Sequence, residues 1–304
     1  MTKVLVATEK PFAKAAVDQI KTIVENAGFD FALLEKYNDK SALLEAVKDA
    51  TAMIVRSDDV NADVVRAAKN LKIVVRAGAG YDNLDLDACT ANNVVAMNTP
   101  GQNSNAVAEL VFGMLISMVR NAYNGTAGTE LRGKKIGIHA YGNVGIYVAK
   151  IAKGMGMEVY AFDPFVSADK IKADGVTPLD TVEELYSTCQ YVSLHIPATE
   201  KTKESINYAL LNRMPKGAVL INTARKEVIH ADIVKLMKDR SDFAYISDIM
   251  PDNKDDFAPF EGRYFFTPKK MGAQTAEANI NAGVAAANQI VDYLKNGNTT
   301  YKVN

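Results

Sequence analysis

KKIGIHAYGNVGIYVAKIAKGMGMEVYAFDP, residues 134–164, changes its hydrophobic period twice. Ile136 and Ile138 lie in an apolar run of strand type. Ile146, Val148, Ala149, Ile151 and Ala152 then recur at helical spacing, and Val159, Ala161 and Phe162 return to a strand that Asp163 closes. Between strand and helix stands a turn of mostly small residues, Ala140-Tyr141-Gly142-Asn143-Val144-Gly145. This is the order of a dinucleotide-binding βαβ unit. Small residues let the backbone approach a pyrophosphate at the helix N-terminus, and the acid after the second strand accepts hydrogen bonds from ribose hydroxyls. The backbone of Asn143 and Val144, flanked by Gly142 and Gly145, is the expected pyrophosphate contact. Ala140 stands where the fingerprint has its first glycine. Asp163 would repel a 2′-phosphate, and Pro164 and Phe165 follow it rather than an arginine, so the expected cofactor is NAD.

The bulk numbers bound the rest. A chain of 304 residues suffices for two domains. Lys and Arg total 35 and Asp and Glu 36, for a net charge of -1, which argues against a nucleic-acid or membrane-surface partner. Cys89 and Cys189 lie far apart without metal-ligand spacing and read as reduced thiols. No metal site is expected. No apolar run reaches membrane-spanning length, and MTKVLVATEK enters a strand rather than a signal peptide. A cytoplasmic protein is the expectation.

Outward from the opening stretch, short apolar runs alternate with amphipathic ones. Val4–Ala7, Phe31–Leu34, Ala52–Val55, Ile73–Val75 and Val94–Met97 read as buried parallel strands, with helices near Phe12–Asn26, Ser41–Lys48, Ala62–Lys69 and Leu86–Asn92. A second series follows: Ile136–His139, Val159–Phe162, Tyr191–Leu194, Val219–Asn222, Phe243–Ile246 and Tyr264–Phe266. Two long helices, one capped by Ser104 and running to about Arg120, the other from about Ala276 to Asn296, are predicted to join the two. The class is α/β. Two doubly wound parallel-sheet domains are expected: a flavodoxin-like substrate domain of residues 1–98 plus 285–304, and a Rossmann NAD domain of residues 99–284. A cleft between them is where substrate would meet cofactor.

Four further stretches carry a resemblance: RAGAGYDNLDLDACTANNVVAMNTPGQNSNAVAEL (76–110), VSLHIPATEKT (192–202), MPKGAVLINTARKEVI (214–229) and GAQTAEAN (272–279). Together they resemble the D-isomer-specific 2-hydroxyacid dehydrogenases over nearly the whole chain. The resemblance implies hydride transfer from C2 of a D-2-hydroxy acid to nicotinamide while a base takes the hydroxyl proton. Arg56-Ser57 and Arg76-Ala77-Gly78 resemble the members that oxidise D-3-phosphoglycerate. That likeness implies Arg56, assisted by Arg76 or a lysine from the cleft rim, for the phosphate, and Ala77, Gly78 and Asn103 for the carboxylate. Other 2-hydroxy or 2-keto acids, such as hydroxypyruvate or glyoxylate, and a non-catalytic NAD-sensing role are the competing readings. The family also implies a homodimer. With the chain ending at Asn304, no additional C-terminal regulatory domain and no serine feedback through one are expected.

Arg225 matches the family's substrate arginine, whose planar fork can hold a carboxylate through two parallel hydrogen bonds and polarise the C2 oxygen. The family's usual base is a histidine after Thr-Pro, oriented by a glutamate. This chain departs at both places. It reads Thr267-Pro268-Lys269-Lys270-Met271-Gly272 at the first, and Asn253 stands at the second. A lysine carries its own charge and needs no such partner, so Lys269 or Lys270 is the expected proton acceptor. For the cofactor, the resemblance implies His195, Ile196, Pro197 and Thr202 along the adenosine pocket. It places Thr223, Ala224, Asp248 and Gly272 towards the nicotinamide, Asp248 through the carboxamide. His139 is expected to be packed, and His230 to be solvated at a helix start.

Overall fold

The computed structural model describes residues 2–304. The chain divides into two units, residues 1–103 with 274–304, and residues 104–273. In the first, β1 (Lys3–Thr8), β2 (Asp30–Glu35), β3 (Ala52–Val55), β4 (Ile73–Arg76) and β5 (Val95–Asn98) form a parallel sheet ordered β2-β1-β3-β4-β5. This is the flavodoxin order. Alternation along β1 explains the layers: Leu5 and Ala7 join the core on one face, Val4 and Val6 the core on the other.

The second unit contains β6 (Lys135–His139), β7 (Glu158–Phe162), β8 (Thr177–Pro178), β9 (Tyr191–Leu194), β10 (Val219–Asn222), β11 (Ala244–Ser247) and β12 (Tyr264–Phe266), ordered β12-β11-β10-β9-β6-β7-β8. All the pairs are parallel. β9, β10 and β11 are buried at every position, as strands covered on both faces must be. The order reverses between β6 and β9, so the crevice at the carboxyl ends of those strands is where this fold receives ligands.

Three expectations are corrected. The second crossing falls at residue 274, not 285, because the whole helix Ala276–Asn296 packs within the first unit. Ala282, Ala286 and Ala287 are buried in its core, and a Cβ on Gly283 would lie 2.9 Å from Ile20 Cδ1. Small residues let this helix lie tight on the helix Lys14–Asn26, and cutting it at 285 would split that contact. The first crossing likewise falls after Asn103 rather than 98, where the helix Ser104–Val119 begins with Ser104 inside it rather than capping it. β8 was not anticipated; two residues ending in proline carry no period to read.

Ala140 adopts φ +81°, the left-handed conformation that glycine takes readily and a Cβ disfavours. Ala140→Gly is expected to stabilise the protein by about 1 kcal/mol, part of the relief being offset by the freer unfolded chain. Chemical denaturation of the two proteins checks it, and an unchanged or lowered midpoint would contradict it.

Candidate active site

The turn after β6 is tied down from β7. Ala140 N donates to Phe162 O (2.9 Å), Tyr141 N to Asp163 Oδ2 (2.7 Å) and Phe165 N to Asp163 Oδ1 (2.8 Å). Asp163 therefore fastens the turn. Gly142 caps the helix Asn143–Gly154 without any side-chain hydrogen bond, which leaves that helix's first amides for an anionic ligand. A Cβ on Gly145 would lie 2.5 Å from Ala140 O, so this glycine lets the helix abut the strand. Pro164 and Phe165 are exposed, Phe165 at 95%.

Two histidines line the carboxyl ends of β6 and β9. His195 N donates to His139 O (2.9 Å). His195 Nε2 meets Ser193 Oγ (3.0 Å), its Nδ1 lies 3.5 Å from Thr223 Oγ1, and His139 Nδ1 lies 3.3 Å from Tyr186 Oη. Burial lowers His139 to about 4, partly opposed by the Asp163 carboxylate. Burial and then His139 lower His195 to about 3. Both remain neutral in the folded protein while an unfolded chain protonates them below about pH 6.5. The unfolded state then binds more protons, so stability falls as pH drops from 6.5 and levels off only near 3–4. A loss of roughly 2 kcal/mol per histidine by pH 5 is expected. Thermal melts at pH 7 and pH 5 check this; equal midpoints would contradict it. His230 precedes the helix Ile233–Asp239 rather than beginning it, and its Nδ1 accepts from Asp232 N (3.1 Å).

The loop Pro197–Thr202 is closed by Thr202, whose hydroxyl donates to Pro197 O (2.6 Å) and accepts from Thr199 N (2.8 Å). Ile196 is buried beneath it. Thr202 thus shapes this wall from within.

At the end of β10 the side chain of Asn222 braces the next three residues. Its Oδ1 accepts from Ala224 N (2.9 Å) and its Nδ2 donates to Arg225 O (3.0 Å). Arg225 is half-buried in an extended conformation, and its Nη1 donates to Ala224 O (3.0 Å). Thr223 and Ala224 are buried against it.

Asp248 is held by the protein itself. It is fully buried, and both oxygens accept from the protein: Oδ1 from Thr267 Oγ1 (3.0 Å) and Met271 N (2.7 Å), Oδ2 from Gly272 N (2.7 Å). Gly272 is likewise engaged through this bond. Lys269 and Lys270, between those anchors, are exposed. Asn253 begins a 3-10 turn and donates to Asp256 Oδ2 (3.1 Å).

In the first unit, Arg56 is engaged by its own neighbours. Nη1 donates to Lys10 O (3.1 Å) and Pro11 O (3.0 Å), Nη2 donates to Asn279 Oδ1 (2.5 Å), and the guanidinium lies over Phe12. It staples the end of β3 to the loop after β1 and to the helix Ala276–Asn296. Arg76 folds back over Gly78, where any Cβ would lie 1.5 Å from its Nη1, and its Nε donates to Arg56 O (3.0 Å). Ala77 N donates to Val55 O (2.8 Å) and Gly78 N to Arg76 O (2.9 Å), so these amides are already engaged. Ala79 and Gly80, which follow, have amides with no acceptor among the described residues; only geometry reveals them. Ser57 is exposed and Asn103 half-exposed before the helix Ser104–Val119. Among the described residues no helix is long and apolar enough to cross a membrane, and no His, Cys, Asp and Glu cluster could hold a metal ion.

Comparison with known proteins places this arrangement. Residues 112–263 match the family model "D-isomer specific 2-hydroxyacid dehydrogenase, NAD binding domain". The chain belongs to this family. Its uncapped helix N-terminus and the carboxylate of Asp163 fit NAD, the cofactor for which that domain is described. Among the solved structures of D-isomer specific 2-hydroxyacid dehydrogenases and their relatives, NAD+-bound 3-phosphoglycerate dehydrogenase of Entamoeba histolytica is similar at 45% identity and TM-score 0.87, over 100% of this chain and 98% of that one. Two D-3-phosphoglycerate dehydrogenases are also similar. That of Haemophilus influenzae is 33% identical over 74% of this chain and 59% of its own length. That of Methanocaldococcus jannaschii is 33% identical over 75% and 46%. The chain thus spans about half the length of the curated relatives it matches.

Proposed function

We propose that this chain oxidises D-3-phosphoglycerate to 3-phosphohydroxypyruvate with NAD, the entry reaction of serine biosynthesis, as a cytoplasmic homodimer. The observation that carries the reading is a braced guanidinium after β10 and two exposed amines after β12, at the carboxyl ends of two strands of one sheet that β11 separates. When bound, NAD supplies the hydride acceptor for C2. Arg225 grips the carboxylate and draws electron density from the C2 oxygen. Lys270 or Lys269 takes the hydroxyl proton during oxidation and returns it during reduction. The open amides of Ala79 and Gly80 are the first unit's candidates for an anionic group of the substrate. The buried thiols of Cys89 and Cys189 suit a reducing compartment, and the likeness to the Entamoeba histolytica enzyme supports the substrate.

A cofactor-absorbance assay with 3-phosphoglycerate, hydroxypyruvate and glyoxylate, each with NAD(H) and NADP(H), tests the reading. Turnover of the phosphorylated pair with NAD(H), at least tenfold above NADP(H), is expected. Turnover of the unphosphorylated acids alone, or of none, would overturn it. Either Lys270→Ala or Lys269→Ala is expected to lose about 100-fold in kcat. Wild-type rates in both would end the role given to the lysines.

A further inference from the structure

The carboxylate of Asp248 has more to do than close a strand end. Three donors from the segment after β12 converge on it: the Thr267 hydroxyl, Met271 N and Gly272 N. The carboxylate is fully buried, and Thr267 is 4% exposed. Pro268, Lys269 and Lys270, between these anchors, are all exposed. One side chain therefore holds both ends of a short segment that carries two amines. Asp248 is itself fixed, since its N donates to Asn222 O (2.9 Å) and Asn222 also braces Arg225.

The geometry of the anchor calls for two acceptor oxygens. Each of its oxygens accepts, whereas an asparagine of the same shape would turn one donor towards a backbone N–H. Gly272 belongs to the device: a Cβ there would lie 3.0 Å from Asp248 Oδ2 and 3.1 Å from Val107 Cγ2, so only glycine brings that amide so close.

We propose that Asp248 is the positioning residue of the proton-transfer segment. It sets where Lys269 and Lys270 stand, the orienting task that a glutamate performs for a histidine elsewhere in the family. The inference rests on the proposed dehydrogenase reading for its kinetic consequence, though not for its structural one.

Asp248→Asn is the test, with kcat, the pH–rate profile and NADH affinity measured on folded protein. A fall of about 100-fold in kcat, with a displaced basic limb and NADH affinity within about twofold of wild type, is expected. A kcat per folded molecule within twofold of wild type, with the limb unmoved, means a purely structural carboxylate and overturns the inference. A loss confined to NADH affinity means a nicotinamide contact and also overturns it. If Asp248→Asn does not fold, Thr267→Val removes one donor while keeping the carboxylate. The same displacement of the limb is then expected with a smaller fall in kcat, and an unmoved limb would refute the proposal. A readout that needs no turnover separates the two ideas. In NMR of the 13C-methylated lysines, the Lys269 and Lys270 signals are expected to move to free-lysine positions in the variant. Unmoved signals overturn the positioning role whatever the assay shows. An inactive wild type with moved signals overturns only the assigned reaction.

Discussion

Arg225→Ala is expected to lower kcat/KM by two to four orders of magnitude with the protein still folded. The arginine is half-buried at the end of β10, and among the described residues only one of its N–H groups is engaged, by Ala224 O at 3.0 Å. Asn222 fixes the backbone on both sides, so the guanidinium is presented rather than searching for its ligand. Two charge-assisted hydrogen bonds to a carboxylate contribute about 1.5–3 kcal/mol each, hence the size of the loss. Arg225→Lys keeps the charge but not the fork and should lose about 100-fold, with kcat falling more than KM rises if the C2 oxygen is polarised. Steady-state kinetics of both variants decide the matter. Near-wild-type constants would remove Arg225 from the chemistry.

Gly145→Ala should be strongly damaging to the second unit. Its Cβ would lie 2.5 Å from Ala140 O and 3.0 Å from Ile138 Cγ2. The first of these is backbone, held by the bond from Ala140 N to Phe162 O, and cannot swing aside. The helix Asn143–Gly154 must retreat from β6, which withdraws its leading amides from the pyrophosphate. About 3 kcal/mol of stability and at least about 100-fold in NADH affinity are expected to go. Gly142→Ala is the control. Nothing lies within 4 Å of its missing Cβ and its φ of -90° suits any residue, so stability should hold while NADH binding weakens. Equal stability losses in the two variants would contradict this division of labour. Denaturation and NADH titration of both measure it.

Much of this was legible before any coordinates. Tyr191–Leu194 and Val219–Asn222 were readable to the residue because a strand buried on both faces is a mainly apolar run; Tyr264–Phe266, a half-exposed edge strand, was readable from its three consecutive aromatic residues. The turn at 140–145 was readable because its small residues have fixed roles. What sequence could not disclose is where polar side chains find partners far along the chain. Arg56 and Asp248 looked like ligands for substrate and cofactor. Arg56 also donates to Lys10, Pro11 and Asn279, and Asp248 also accepts from Thr267, Met271 and Gly272. Motif position alone could not tell Ala77 and Gly78, whose amides are engaged, from Ala79 and Gly80, whose amides are open. Those distinctions depend on backbone hydrogen bonds that close only when the sheet has formed.

Residues 104–273 interrupt a unit that resumes at Gln274. On the ribosome the inserted body is complete while its host still lacks the helix that covers Ile20 and Phe12. A chain released after residue 273 should therefore resist protease across the insert and remain cleavable in the host, an order of assembly written into connectivity alone.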